Sequence, residues 1–186
     1  MRLIVAMTGA SGAIYGARFL EVLHAAYPEV ESHLIVSRPG LRVLKYETKL
    51  DERDLHDLAH VVHKEGDIGA VTASGSAGID AMVIIPCSMK TLAGVANGLS
   101  RNLIERAADV ALKERRRLVV VPRETPMSLP QLKNLVLCAE AGAVVLPAMP
   151  AFYQHPRSLD DLADFMAGKV LSALEFEHEL YSAWAG

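Results

Sequence analysis

Short apolar runs rich in β-branched residues alternate along the chain with longer stretches whose apolar positions recur at helical spacing. The runs RLIVAMT (residues 2–8), ESHLIVS (31–37), DAMVIIP (80–86), RLVVVP (117–122) and AVVLP (143–147) predict five strands. Helices are predicted over residues 13–26, 39–47, 51–60, 88–97, 103–115, 129–141 and 158–174. Asp51 and Ser158 stand where helix N-caps belong, Asp160 and Asp161 follow Ser158 in a first turn, and Gly142 stops the helix before it. The strands are apolar at consecutive positions rather than at every second one, as in a parallel sheet covered on both faces. With right-handed crossovers, the pattern predicts one α/β domain over residues 1–186: a doubly wound parallel sheet sandwich, flavodoxin-like or Rossmann-like in strand order.

Hydrophobic residues make up 51% of the chain and mean hydropathy is +0.22. That excess implies a deep core together with subunit interfaces. A net charge of −3 leaves no global basic field for nucleic acid. The short basic run KERRR (113–117) reads as a solvated helix end. Two cysteines, Cys87 and Cys138, cannot build a disulfide framework, so a reducing, cytoplasmic setting is expected. No apolar run reaches the length of a membrane span, and the first residues run straight into LIVAMTGASG without the pattern of a secretory leader.

Ligands of doubly wound sheets bind beyond the carboxyl ends of the strands. Behind the first predicted strand stands Thr8-Gly9-Ala10-Ser11-Gly12, a Gly-rich turn into a helix. Its glycines follow G-x-x-G-x-x-x-G rather than the dinucleotide G-x-G-x-x-G. The turn suits a phosphate at the free N–H groups of the helix starting near Ala13, or is an ordinary capped turn. Behind the second strand, Ser37 and Arg38 hold the place of the acidic residue that binds an NAD ribose; Ser37 suits a phosphate or ring contact, or caps a helix. PCSMKT puts Ser88, Met89, Lys90 and Thr91 at a helix start, an anion seat, while Cys87 reads as core. PRETP holds Arg123 and Glu124 between two prolines: a cation for a phosphate or ring oxygen beside a proton donor or acceptor. Arg106 and Lys113 share one helix face and, from spacing alone, are solvated. Tyr153, in the Pro-bounded PAFYQHP, is a loop anchor, an acid or a phosphate ligand. His56 and His60 have i, i+4 spacing but no evident third ligand, so no metal is expected.

Together MTGASGAIYG, LIVSR, ASGS, VIIPCSMKTLAGVANG, NLIERAADVALKERRRLVVVPRETP, GAVVLPAMPAFYQHP and SLDDLADF cover nearly the whole chain and resemble the flavin prenyltransferases, the UbiX-type family once described as aromatic acid decarboxylases. The resemblance implies a flavodoxin-like fold, binding of FMN in its reduced form, and a homododecamer with sites between subunits. It implies metal-independent transfer of a dimethylallyl group from dimethylallyl phosphate to N5 and C6 of FMN. The prenylated FMN would serve a UbiD-type decarboxylase, in ubiquinone biosynthesis or in phenolic-acid breakdown. By matching position, Gly9, Ala10, Ser11, Ser37, Ser88, Met89, Lys90, Thr91 and Arg123 would contact FMN. Tyr153 and Lys169 would hold the dimethylallyl phosphate, with Arg106, Lys113 and Glu124 lining its phosphate end. Glu47, in KYETK, would approach the flavin N5 and shuttle its proton, and Trp184 would close over the site.

Three other readings compete. An FMN-dependent decarboxylase of peptidyl or pantothenoyl cysteine carries an Asn-containing, PASANT-like segment where this chain has PCSMKT, and a His where it has Tyr15 and Gly16. A non-catalytic flavin carrier holds the ring between aromatic side chains and is markedly acidic, a poor match to 5% aromatic residues and a charge of −3. An NADP-dependent reductase is disfavoured by the glycine spacing and keeps only Arg38 as a partner for a 2′-phosphate.

Overall fold

The apolar runs assemble into one six-stranded sheet, parallel throughout, in the order 3-2-1-4-5-6. This is seen in a computed structural model that describes residues 1–182. Along the chain the elements are β1 (Arg2–Met7), α1 (Ala13–Ala26), β2 (Glu31–Val36), α2 (Arg38–Glu47), α3 (Glu52–Asp57), β3 (Val61–Lys64), β4 (Ala81–Cys87), α4 (Met89–Ala96), α5 (Leu103–Lys113), β5 (Arg117–Pro122), α6 (Leu129–Glu140), β6 (Val144–Val145) and α7 (Leu159–Ala173). Successive strand residues feed opposite faces. Leu3, Val5, Val83, Ile85, Val119 and Val121 pack with residues of α1 and α7 on one side. Ile4, Ala6, Met82, Ile84, Leu118 and Val120 pack with residues of α4 and α5 on the other. Both faces are therefore dry, which is why the strands read as unbroken apolar runs. No helix among the described residues is long and apolar enough to cross a membrane.

Several expectations are corrected. The sequence pattern predicts five strands; β3 is a sixth. It has four residues, alternates half-buried with exposed, and lies on the sheet edge, so its apolar signal is weak. Without β3 the remaining order reads 2-1-3-4-5 in chain sequence, the flavodoxin-like alternative; with it, the Rossmann-like one. The helix predicted to residue 60 ends at Asp57, because the chain turns back to pair with β2: His60 N–H donates to the Ser32 carbonyl at 3.2 Å. His60 Nδ1 also meets the Ser32 hydroxyl at 3.0 Å, while His56 pairs with Glu52 at 3.6 Å, so the two histidines do not share a helix face. The fifth predicted strand shrinks to Val144–Val145. The basic run is not a merely solvated helix end. Arg116 donates to the Gly75 carbonyl, and Arg117 ties the end of α7 through the Ala173 carbonyl at 2.7 Å and Glu175 at 2.5 Å. Cys87 and Cys138 are both buried. Burial pushes both thiols up, Cys138 to about 11, which suits core packing rather than nucleophilic chemistry.

Candidate functional site

β1 lies between β2 and β4, so the chain leaves it in both directions and a crevice opens beyond its carboxyl end. The buried Thr8 ties the floor of that crevice together. Its hydroxyl donates to the Pro86 carbonyl at 2.9 Å and accepts from the Ser88 N–H at 2.7 Å. The turn after β1 is pressed against the start of α2: a Cβ on Gly9 would lie 2.5 Å from Pro39 Cβ, and one on Gly40 would lie 2.8 Å from the Met7 carbonyl oxygen. Only glycine allows these approaches. Ser37 and Ser88 are helix N-caps. The Ser37 hydroxyl accepts from Gly40 N–H at 3.0 Å; the Ser88 hydroxyl accepts from Thr91 N–H at 3.3 Å and donates to the Thr91 hydroxyl at 3.1 Å.

The start of α1 differs from expectation. Its N–H groups are not free for a phosphate: Gly12 and Ala13 donate to Glu47 Oε2 at 2.8 and 2.9 Å. A carboxylate is what the positive end of a helix favours, and the last residue of α2 delivers one. The Ser11 side chain, in the turn just before, also favours this carboxylate. Burial raises the Glu47 carboxyl, but the Ser11 side chain, the bonds from Ala13 and Gly12 and the Arg123 charge outweigh it and hold the group below its ordinary value. Tyr15, one turn into α1, belongs to the same electrostatic group. Burial pushes its phenol up, Arg123 opposes that, and Glu47 adds to it. Sequence reasoning passed over Tyr15 as a site residue; its place in the first turn behind the Gly-rich segment was the signal.

Arg123 is exposed at the end of β5, its N–H donating to the Cys87 carbonyl at 3.4 Å. Glu124 is half-buried and accepts from Thr125 N–H at 3.0 Å. The loop after β6 joins this rim through Ala148 N–H to the Pro122 carbonyl at 2.9 Å. Behind it opens a cavity of about 660 Å³ bordered by Leu146, Pro147, Tyr153, Phe165 and Lys169. Tyr153 meets Phe165 edge-on, centroids 6.1 Å apart at 86°. Lys169 Nζ lies 5.8 Å from the Phe165 centroid. Met89 and Thr91 are buried, while Lys90 is exposed.

Lys90 acts on a charge that sequence reasoning missed, Glu105, which is 1% exposed. Arg101 grips it with its backbone N–H at 3.0 Å and its guanidinium at 3.0 and 2.8 Å. Burial raises the Glu105 carboxyl, and these bonds more than reverse that. A single acid in an amphipathic helix looks solvated, and only packing against Gly94 shows it buried.

Two further candidates lie on α5, at different ends. Arg106 is half-buried and paired with Asp109 at 3.1 Å. α5 begins at the carboxyl rim, where Leu103 N–H donates to the Glu65 carbonyl just past β3, and ends at the opposite rim. Lys113 therefore lies beside Glu114, at 3.7 Å, in a cleft of about 780 Å³ shared with Arg117 and Val144 at the starts of β5 and β6. Trp184 lies outside the described residues.

The Flavoprotein family model matches residues 1–171. Flavin prenyltransferase UbiX of Thauera aromatica is 48% identical over 186 residues, covering 100% of this chain and 95% of that protein. Flavin prenyltransferase LpdB of Lactiplantibacillus plantarum is 47% identical over 185 residues, covering 100% and 98%. Among solved structures, AnUbiX (PadA1) in complex with FMN and dimethylallyl pyrophosphate matches with a TM-score of 0.96 at 43% identity, covering 100% of this chain and 97% of that one. A dodecameric FMN-dependent UbiX-like decarboxylase from Escherichia coli O157:H7 matches with a TM-score of 0.97 at 44% identity, covering 100% of both chains. A PPC decarboxylase, 21% identical with a TM-score of 0.60 over 80% of this chain and 82% of that one, shares the fold alone. On full-length identity and matching structure, the chain belongs to the Flavoprotein family and, within it, to the UbiX-type flavin prenyltransferases.

Proposed function

We propose that this chain transfers a dimethylallyl group from dimethylallyl phosphate to N5 and C6 of reduced FMN, and that a UbiD-type decarboxylase takes up the prenylated FMN. The observation that carries this reading is the Glu47 carboxylate seated on the Gly12 and Ala13 N–H groups at the crevice beyond β1, in a chain matching a relative crystallised with FMN and dimethylallyl pyrophosphate. The residues present suit FMN. Gly9 and Gly40 bring backbone where no side chain fits, and Ser37, Ser88, Thr91, Lys90 and Arg123 offer hydroxyls and cations for a phosphate and ring oxygens.

Bound reduced FMN supplies the nucleophilic ring nitrogen. Glu47, whose carboxylate already accepts at the start of α1 beside Ser11, would take up the N5 proton as the new C–N bond forms. Lys169 and Tyr153 meet the phosphate of the prenyl donor, and Glu124 protonates it as the allylic C–O bond breaks and its electron pair leaves with the phosphate. Arg106 and Lys113 add positive charge at the phosphate end. From the far rim Lys113 reaches it from a neighbouring copy, in line with the dodecamer of the E. coli relative. Water must be kept from the developing cation, the task that the family resemblance gives to Trp184. Two buried, unpaired cysteines suit a cytoplasmic setting.

Anaerobic incubation with reduced FMN and either dimethylallyl phosphate or the diphosphate tests the reading. A flavin heavier by one prenyl unit, with a changed absorption spectrum, is expected with one donor. Recovery of FMN at unchanged mass with both donors refutes it.

A further inference from the structure

The segment after α7 crosses back over that helix, and the crossing is built for close approach. A Cβ on Gly168 would lie 2.6 Å from a ring carbon of Tyr181 and 2.8 Å from one of His178. Ser172 fastens the segment: its hydroxyl meets His178 Nε2 at 2.9 Å and the Tyr181 hydroxyl at 3.3 Å. Gln154, in the loop that carries Tyr153, donates its side-chain amide to the Ser182 carbonyl at 2.6 Å. Tyr181 is thereby laid on Phe165, ring centroids 4.9 Å apart. Lys169 Nζ then lies over both rings, 5.5 Å from Tyr181 and 5.8 Å from Phe165. Phe165 also carries Tyr153 edge-on. One buried ring thus sets the two groups that border the cavity beyond β6, and the post-helical segment completes the seat of its cation.

We propose that Tyr181 is a positioning residue for the alkenyl phosphate donor. Its ring, clamped on Phe165, holds the Lys169 ammonium at the cavity that Tyr153 borders, so the phosphate meets a cation already in place. A lysine carries much rotamer freedom when free, and two aromatic faces restrain it while leaving its charge available. This rests on the reading of Tyr153 and Lys169 as phosphate ligands.

The test compares Tyr181→Leu and Tyr181→Phe with the parent chain, each full-length and loaded with FMN. Tyr181→Leu is expected to raise KM for dimethylallyl phosphate about fivefold, the change that loss of one exposed cation–π contact carries. Its kcat, FMN affinity and melting temperature stay near the parent values. Tyr181→Phe keeps the ring and is expected to keep KM. An unchanged KM in Tyr181→Leu overturns the proposal, as does an equal rise in Tyr181→Phe, which would place the effect in the hydroxyl. A joint fall in FMN affinity, kcat and melting temperature assigns Tyr181 a structural role only and overturns it too. Calorimetric titration with inorganic phosphate separates this proposal from the reading beneath it. If the parent chain leaves FMN at unchanged mass, prenyl transfer fails, yet weaker phosphate binding in Tyr181→Leu than in Tyr181→Phe upholds the positioning role.

Discussion

Glu47 has two tasks that ask for the same ionisation state. It accepts from the first N–H groups of α1 and, in the proposed function, takes up the flavin proton, and both need a carboxylate. Because its folded pKa lies below the ordinary 4.5, the stability it lends is complete above that value and is lost only as pH falls through the lowered one. The parent enzyme's transfer rate should therefore show no Glu47 limb between about pH 8 and pH 5, whereas Glu47→Gln should be slower by about a hundredfold at every pH in that range. A pH–rate profile checks both; an acid limb near neutrality in the parent that Glu47→Gln removes would contradict this role. Glu124 makes a different prediction, since the proposed function sets it at the phosphate of the donor. Glu124→Gln should slow transfer while a fluorescence titration returns parent-like FMN affinity; a collapse of that affinity would reassign the residue to flavin binding. The candidate residues at strand ends were legible because the fold class says where ligands go. That Glu47 caps α1 was not, because it stands 35 residues from Gly12 and no local pattern joins them.

At the scale of elements, two charged features report on packing. Glu105 is buried between α4 and α5, with Arg101 as its main partner. Arg101→Ala removes the guanidinium and leaves that carboxylate with the backbone N–H of residue 101 and the charge of Lys90, so urea unfolding should show a lowered midpoint, by less than the loss of a fully buried pair because the Arg101 side chain is half exposed. An unchanged midpoint would mean that the backbone N–H and Lys90 suffice. The β2–β3 edge carries His33 stacked on His63, centroids 5.3 Å apart, with Nδ1 and Nε2 at 3.0 Å. Burial, chiefly, lowers both from the ordinary 6.5. The unfolded chain then takes up protons first, so the stability of this edge is complete above 6.5 and declines as pH falls toward the lowered values. Melting temperatures should drop between about pH 7.5 and pH 5.5, and His63→Gln should flatten that slope; equal slopes in both chains would remove the pair from the account. Long elements with clear periodicity, such as α1, were legible to the residue: 13–26 both as predicted and as observed. The edge strands β3 and β6 were not read correctly, since a short strand takes most of its stability from its neighbour.

At the scale of the whole molecule, the hydrophobic excess has two destinations. One is the pair of cores that sandwich the sheet. The other is surface: in α6 only Cys138 is buried, and Leu129, Leu132, Val136 and Leu137 are exposed, an apolar face suited to contact between copies. The role proposed for Lys113 makes the same point from the side of chemistry, since the residue lies at the rim opposite Glu47 in its own chain. Co-expression of Lys113→Ala with Glu47→Gln should therefore yield mixed oligomers more active than either variant alone, because some sites combine an intact Lys113 with an intact Glu47 from different copies. Mixed oligomers no more active than the separate variants would show that Lys113 does not act across a subunit boundary.

The sequence by itself determined the α/β class, the parallel sheet, the helix caps at Asp51 and Ser158, and the rim on which the polar residues gather. These follow from periodicity and short-range hydrogen bonding, which act over a few residues and are written in the local pattern. Only the tertiary structure decided that Glu47 closes the end of α1, that Glu105 is buried, that β3 extends the sheet, and that Phe165 unites Tyr153, Lys169 and Tyr181. Each of these depends on which distant segments the packed sheet brings within a few ångströms, a choice made by burial of both faces at once rather than by any single stretch of chain.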